Sequence, residues 1–227
     1  TPRDFTVSPP LPCNPSKPHI FPYFCPMEEK EVLMEYLPEK SVDTIYKWIV
    51  EKSVHLKIAR ERKTKLGDYR PPINYENHRI SINYNLNRYS FLITLVHEFA
   101  HLYVWERYKN KVDPHGKQWK QTYRDLMLNF LDKDIFPDDI ESELKKSIKN
   151  SKASTASELN LSRIIKKYDN NNGQTTLEEL EENTIFLIEG GRRFKKGPKQ
   201  LTRYKCQNLD NKKIYLVHAL TPVITPE

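Results

Sequence analysis

Residues 90–108 read S-F-L-I-T-L-V-H-E-F-A-H-L-Y-V-W-E-R-Y, and this run decides the fold. Phe91, Leu92, Ile93, Leu95, Val96, Phe99, Ala100 and Leu102 leave almost no polar face at helical spacing. The stretch therefore predicts a central, buried helix from about Ser90 to Tyr108. His97, Glu98 and His101 interrupt its apolar character. At four-residue spacing two imidazoles stand one above the other on one helix face, where both reach a single Zn²⁺ at ~2.0–2.1 Å. Glu98, one residue along, is badly placed as a ligand but well placed for a water on the metal. That is the arrangement of a zinc hydrolase, with a zinc-activated water as nucleophile and Glu98 as its general base. The plainer alternative, polar residues on a surface helix, would bury three polar groups in this apolar run without compensation.

A catalytic zinc takes a third protein ligand and keeps one position open. The metzincin extension of H-E-x-x-H fails, because its glycine and third histidine would fall on Val104 and Arg107. A downstream helical glutamate has only Glu141 and Glu143 as distant candidates. His115 is the better choice. It lies 14 residues past His101, after the turn-forming K-N-K-V-D-P, and opens H-G-K-Q-W-K. A helix, a loop and a returning helix from about His115 to Leu131 would bring it back to the first pair, with Gly116 leaving room and Trp119 locking the two helices together. The alternative is a mere helix-start residue.

Outward from this centre, residues 27–37 carry Val32, Leu33, Tyr36 and Leu37 on one helical stripe ended by Pro38. A second helix is expected from Ser41 as N-cap to about Lys52. V-H-L-K-I-A-R (54–60) alternates as a half-buried strand, the basic loop E-R-K-T-K-L-G-D-Y-R-P-P turns at Gly67, and R-I-S-I-N (79–83) is a second strand. Beyond Pro137 come a helix-prone acidic segment, the weakly apolar N-S-K-A-S-T-A-S, and a helix E-L-N-L-S-R-I-I-K-K-Y-D stopped by Asp-Asn-Asn-Asn-Gly. β-branched and aromatic runs then flank a hairpin turn at Asp210–Asn211. The chain thus reads as α+β: residues 27–140 a peptidase-sized domain, 141–182 a helical and acidic linker, 183–227 a small basic β module.

Eight of the 16 prolines lie in residues 1–26, where no regular period survives. This segment is expected to be a disordered tail without the marks of an export signal. We read Met27 as the natural first residue, the alternative being a genuine proline-rich tail. The 227 residues carry 37% hydrophobic side chains and a formal net charge of +7, which excludes an acidic solvating chain and permits a polyanionic partner. No run approaches the ~18 apolar residues that span a bilayer, so no membrane partner is expected. Cys13, Cys25 and Cys206 form no C-x-x-C pair and no disulfide framework, which suits a reducing, cytoplasmic compartment.

With these residues assembled, the chain resembles the SprT-like family of zinc metalloproteases, whose Spartan-related members act on DNA–protein crosslinks. The resemblance rests on H-E-F-A-H (97–101), its spacing to H-G-K-Q-W (115–119), and L-G-D-Y-R (66–70); it covers roughly residues 40–135. It implies a zincin-like fold of helices on a small sheet and one zinc per chain on His97, His101 and His115. Glu98 is then the catalytic acid/base, and the substrates are DNA-associated or DNA-crosslinked proteins. The chain is similar to bacterial-type members, but the small C-terminal zinc ribbon with paired cysteines in which many relatives end is degenerate in this chain. R-Y-K-C-Q resembles one ribbon strand, yet Cys206 has no second cysteine nearby and only His218 as another soft ligand. No second, structural zinc is expected, and Cys206 reads as a core thiol. A hairpin held by Tyr204, Ile214, Tyr215 and Val217 is expected to persist.

Between Arg192 and Lys213 stand nine basic residues (Arg192, Arg193, Lys195, Lys196, Lys199, Arg203, Lys205, Lys212 and Lys213) against the single acid Asp210. With Phe194, Tyr204 and Tyr215 interleaved, phosphate contacts beside base stacking are expected, on single-stranded or damaged DNA, with nucleoid association as the consequence. A second basic run, Arg60 to Lys65 with Arg70, flanks the peptidase region. A solvated basic surface is the plainer reading of both. Two alternatives to a DNA-directed peptidase remain: a general zinc peptidase without nucleic acid, and a non-enzymatic DNA-binding protein with structural zinc. Glu98 argues against the last, because a structural site needs no base.

Overall fold

A computed structural model describes residues 6–7, 26–62, 64–73, 76–149, 155–169 and 173–226. Apart from Thr6, Val7 and Pro26, the expectations for residues 1–26, including Cys13 and Cys25, lie outside the described residues. The chain divides into two compact units, residues 1–151 and 152–227. No helix among the described residues is long and apolar enough to cross a membrane.

The first unit holds strand β1 (Thr6–Val7), helices α1 (Pro26–Tyr36) and α2 (Val42–Glu51), and strands β2 (Val54–Ala59), β3 (Gly67–Arg70) and β4 (His78–Asn83). Helices α3 (Arg88–Tyr108), α4 (Lys117–Met127) and α5 (Asp138–Lys149) complete it. The strands form one sheet in the order β1-β2-β4-β3, with β2 and β4 parallel and both edge strands antiparallel to their neighbours. Alternation in β2 and β4 turns Val54, Leu56, Ile58, Ile80 and Ile82 toward the helices, all at most 2% exposed. His55, Lys57, Arg79 and Ser81 take the opposite face.

Helix α3 is the central element, as its sequence requires. It packs on β3 and β4, and Phe91, Leu92, Leu95, Val96, Phe99, Ala100 and Leu102 are fully buried. It starts two residues earlier than periodicity suggests, because the Asn87 side chain accepts hydrogen bonds from the Tyr89 and Ser90 N–H groups at 3.1 and 2.9 Å. Ser41 does precede α2, but its hydroxyl donates back to the Pro38 carbonyl at 2.6 Å instead of capping the helix. Trp48 of α2 ties this core together, with its ring 5.4 Å from both Phe99 and Phe130, edge-on to each.

One expectation is corrected here: the segment assigned to a basic loop contains a strand. Gly67–Arg70 pairs with β4 from Gly67↔Ile82 to Arg70↔Arg79. The residues before it are latched rather than loose. Arg62 donates to Asn83 Oδ1 at 2.8 Å and Ser81 Oγ at 2.9 Å, while the buried Asn83 amide donates to the carbonyls of Arg62 and Lys65. Lys65 and Arg70 both pair with Asp68. Two of the run's cations therefore share the single Asp68 carboxylate, and Arg62 is engaged with neutral oxygens.

The second unit contains α6 (Thr155–Lys166), a 3-10 turn at Leu177–Glu179 and strands β5 (Ile185–Leu187), β6 (Arg193–Gln200), β7 (Arg203–Asn208) and β8 (Ile214–His218). The strands form an antiparallel meander in that order. Its core is Leu177, Phe186, Phe194, Cys206 and Val223, so a residue assigned by sequence to the linker, Leu177, packs under the sheet. Cys206 is a fully buried free thiol. The hairpin turn at Asp210–Asn211 forms, but its support differs from expectation. Tyr204 and Val217 pack against the core, whereas Ile214 is 61% and Tyr215 39% exposed. Alternation decides this for Ile214, which lies opposite Gln207 on the outer face, whereas Tyr215 lies opposite buried Cys206 and stays partly open on the edge strand.

Replacing Trp48 by Ala should cost about 3–5 kcal/mol in the first unit, the range for large-to-small changes at buried aromatics. Chemical denaturation read by near-UV circular dichroism measures it, and a loss below about 1 kcal/mol would contradict the packing described.

Candidate metal centre

The first turns of α3 carry its buried face into β3 and β4, and the same helix then presents His97 and His101 on an adjoining, partly open face. α4 returns against α3 through Ala100, Val104 and Trp119. Between them, residues 109–116 make a tight loop in which the Gly116 N–H donates to the Asp113 carbonyl at 3.0 Å. His115 is not the first residue of the helix. It lies two residues ahead of Lys117, and its backbone is left-handed at φ +59°. That conformation costs a non-glycine residue on the order of 1–3 kcal/mol and concentrates at functional sites. Here it aims the imidazole back at α3.

The result is a convergence of three ring nitrogens. His97 Nε2 and His101 Nε2 are 3.2 Å apart, His101 and His115 2.9 Å, and His115 and His97 3.0 Å. Ligands at ~2.0–2.1 Å on a tetrahedral ion lie about 3.3 Å apart, so the triangle has nearly the dimensions of one face of a zinc tetrahedron. Three neutral imidazoles cannot satisfy one another in a closed triangle, since each has one N–H and one lone pair. A cation at the centre satisfies all three lone pairs at once. Burial, followed by mutual repulsion among the rings, holds His97 at about 3 and His101 at about 4, so both rings are neutral at pH 7, with lone pairs free for a cation. The donor set fits zinc. Trp119 lines the triangle, with ring centroids 4.5 Å from His97 and 4.7 Å from His115, and stacks on Tyr123. Its indole N–H is buried with no acceptor among the described residues.

Glu98 points the other way, toward the sheet edge, and is 7% exposed. Burial is the main reason its carboxyl is raised to about 7, and the charge of Asp68 adds to it. Arg62, Lys65 and a hydrogen bond from the Tyr69 backbone N–H pull in the opposite direction. Two residues that sequence reasoning left without a role control this carboxylate. A Cβ on Gly67 would stand 2.5 Å from Glu98 Oε1 and 2.8 Å from Thr94 Cγ2, so glycine is what lets β3 approach Glu98. Tyr69 supplies the N–H, and its own hydroxyl is anchored on buried His78 Nδ1 at 2.9 Å. The signal available in sequence was a glycine inside L-G-D-Y-R. The other glutamates weighed as ligands, Glu141 and Glu143, sit on α5; Glu141 pairs with Lys145 and Glu143 with Lys146.

The residues singled out for nucleic acid are in the second unit and fare unevenly. Lys196 is 4% exposed, and its ammonium donates to the Glu178 and Leu180 carbonyls, so it offers nothing to a phosphate. Arg193 pairs with Asp210 at 3.1 Å. Arg192, Lys195, Arg203 and Lys205 are exposed and form no ion pair among the described residues, and Lys199 is exposed near the Tyr204 ring. Two of the three expected stacking aromatics are not available, and Tyr215 is 39% exposed. Phe194 is core, Tyr204 is covered by Lys196, and the Tyr215 ring packs edge-on against Phe194.

A family model, the SprT-like family, matches residues 39–142, which run from just before α2 into the first turn of α5 and include all three histidines and Glu98. No curated protein and no solved structure matches the chain.

His115→Ala should reduce bound zinc to well under one ion per chain without unfolding the first unit, because His115 is exposed and outside both helices. Full zinc content in this variant would place the third ligand elsewhere. Gly67→Ala should retain zinc, since the new methyl displaces Glu98 and not the histidines. Any hydrolytic activity should fall by roughly 10², the cost of an ångström-scale misplacement of a catalytic group. A fully active Gly67→Ala protein would remove β3 from the site.

Proposed function

Residues 39–142 belong to the SprT-like family, a family of metallopeptidase type that is typically metal-dependent, and on that premise we propose that this chain is a zinc-dependent endopeptidase. The observation that carries the proposal is the pairing of a three-histidine triangle with one buried carboxylate on the same helix, one residue from the first ligand. His97, His101 and His115 would hold the ion. When bound, zinc acts as a Lewis acid on the scissile carbonyl and lowers the pKa of a water.

Glu98 handles the protons. Its carboxylate accepts one from the attacking water, and the same group then donates it to the departing amine as the C–N bond breaks. A carboxyl raised toward neutrality suits both halves of that cycle, because neither transfer is strongly uphill near pH 7. The Tyr69 N–H fixes the carboxylate in place, and Gly67 keeps the space it occupies. A structural metal site has no use for this arrangement, which disfavours the non-enzymatic alternative.

For the substrate we propose proteins associated with DNA. Support comes from the net charge of +7 and from Arg192, Lys195, Arg203 and Lys205 exposed on the second unit. The general peptidase without nucleic acid gains from one observation: neither Phe194 nor Tyr204 is offered for base stacking. Contacts to DNA are therefore expected to be electrostatic and indifferent to sequence.

Glu98→Gln keeps the shape and cannot accept a proton, so it should bind zinc like the parent and cut a protein substrate ~10²–10⁴ times more slowly. Wild-type rates at the glutamine variant with equal zinc would take Glu98 out of the chemistry. Protonation disables the base, so the parent rate should fall as pH drops. The acid limb should lie between the ordinary value of 4.5 and about 7, because a cation on the histidines pulls the raised carboxyl down. A rate flat across that window would contradict the assignment. Reversing Lys195, Arg203 and Lys205 to Glu should lower the slope of DNA affinity against salt by about 0.9 for each phosphate that is no longer neutralised. An unchanged slope favours the peptidase without nucleic acid.

A further inference from the structure

The two edges of the second unit's sheet are finished differently. At β5 the chain's own C-terminal segment closes the edge: Leu187 and Ile224 exchange both backbone hydrogen bonds, at 2.8 and 3.0 Å. At β8 nothing comparable occurs among the described residues. The register with β7, together with the Asn208 N–H to Lys213 carbonyl and Ala219 N–H to Thr202 carbonyl bonds, gives the odd-numbered residues of β8 to the ladder. The N–H and C=O groups of Ile214 and Leu216 therefore point away from the sheet. His218 closes the far end, where its carbonyl accepts from the Thr221 N–H.

The same two residues are also exposed through their side chains, 61% for Ile214 and 48% for Leu216. They lie on the outer face in rows with basic and polar residues: Ile214 beside Gln207 and then Lys195, and Leu216 beside Lys205. Lys212 and Lys213 stand at the entrance to the strand. Proteins normally blunt such an edge by covering it or by placing charge on the edge strand itself. Here the edge strand carries aliphatic side chains, and the charge sits beside it.

We propose that β8 is a docking edge for an extended, acidic segment of a partner protein, which adds as a fifth strand next to Ile214 and Leu216. An added strand supplies donors and acceptors in alternation, matching the four free backbone groups. A phosphate backbone offers only acceptors and no aliphatic contact. A second copy of this chain pairing through β8 would bring no acid to Lys205, Lys212 or Lys213, because the strand carries none. The occupant's chemistry follows: aliphatic side chains two residues apart to cover Ile214 and Leu216, with acids around them to meet the lysines. The inference is independent of the catalytic reading and sets an acidic protein segment in competition with DNA for Lys195 and Lys205.

The test uses the full chain, isotope-labelled for amide resonances, and a synthetic peptide in which Glu and Val alternate. The matched Lys–Val peptide and a single-stranded oligonucleotide serve as competitors. Hydrogen exchange at Ile214 and Leu216 should be fast in the free protein and at least about tenfold slower with the Glu–Val peptide. Leu216→Pro removes an N–H that the ladder does not use, so the sheet survives and peptide affinity should fall at least about tenfold. Leu216→Glu, which leaves the backbone intact and repels acid, should weaken binding in the same way. The proposal is overturned if the peptide binds with both amides unchanged, if both variants bind like the parent, or if the Lys–Val peptide or the oligonucleotide protects these amides equally well. Protection in the free protein accompanied by dimerisation would also overturn it.

Discussion

Three imidazole nitrogens within 3.2 Å of one another are the constraint around which the first unit is built. Such a cluster is unfavourable alone and favourable around a cation, and each part of the unit serves to hold it. Helix α3 supplies two members at the spacing of one turn. The third demands a return of the chain within a short loop and a left-handed backbone at His115, a cost offset by packing Trp119 onto Ala100 and Val104. The buried apolar remainder of α3 fixes the helix against the sheet, so the two rings it carries cannot drift.

A second constraint acts on an adjoining face of the same helix. Glu98, one residue from His97, stays out of the histidine cluster by turning toward β3. The sheet edge there is shaped for it: a glycine where a methyl would collide, then a backbone N–H as partner, then a tyrosine pinned by a buried histidine. The latch of Arg62 and Asn83 holds the connection into that strand. His115 and the Glu98 carboxylate are thus held by different elements, the loop before α4 for the one and β3 for the other, which is why a substitution at Gly67 and one at His115 should separate activity from metal binding.

Much of this was legible in the sequence because it depends on local period. The pair His97 and His101 follows from helical spacing, the burial of α3 from its unbroken apolar run, and strands β2 and β4 from alternation. His115 was reachable from loop length and the need for a third ligand. What escaped depends on contacts between distant segments. β3 is only four residues long, and no residue of it is buried, so it carries little periodic signal and exists because β4 offers it an edge. The fate of Lys196 was hidden for the same reason: its charge suggested solvent, but alternation in β6 sends it inward, where the Glu178 and Leu180 carbonyls receive it. The exposure of Ile214 follows from strand register, which composition does not reveal.

The histidine triangle is tested most directly by X-ray absorption at the zinc edge of the zinc-loaded chain. It predicts one zinc per chain with three imidazole nitrogens at ~2.0–2.1 Å and one further light atom from solvent. A sulfur at ~2.3 Å, or a closed shell of four protein ligands, would contradict it.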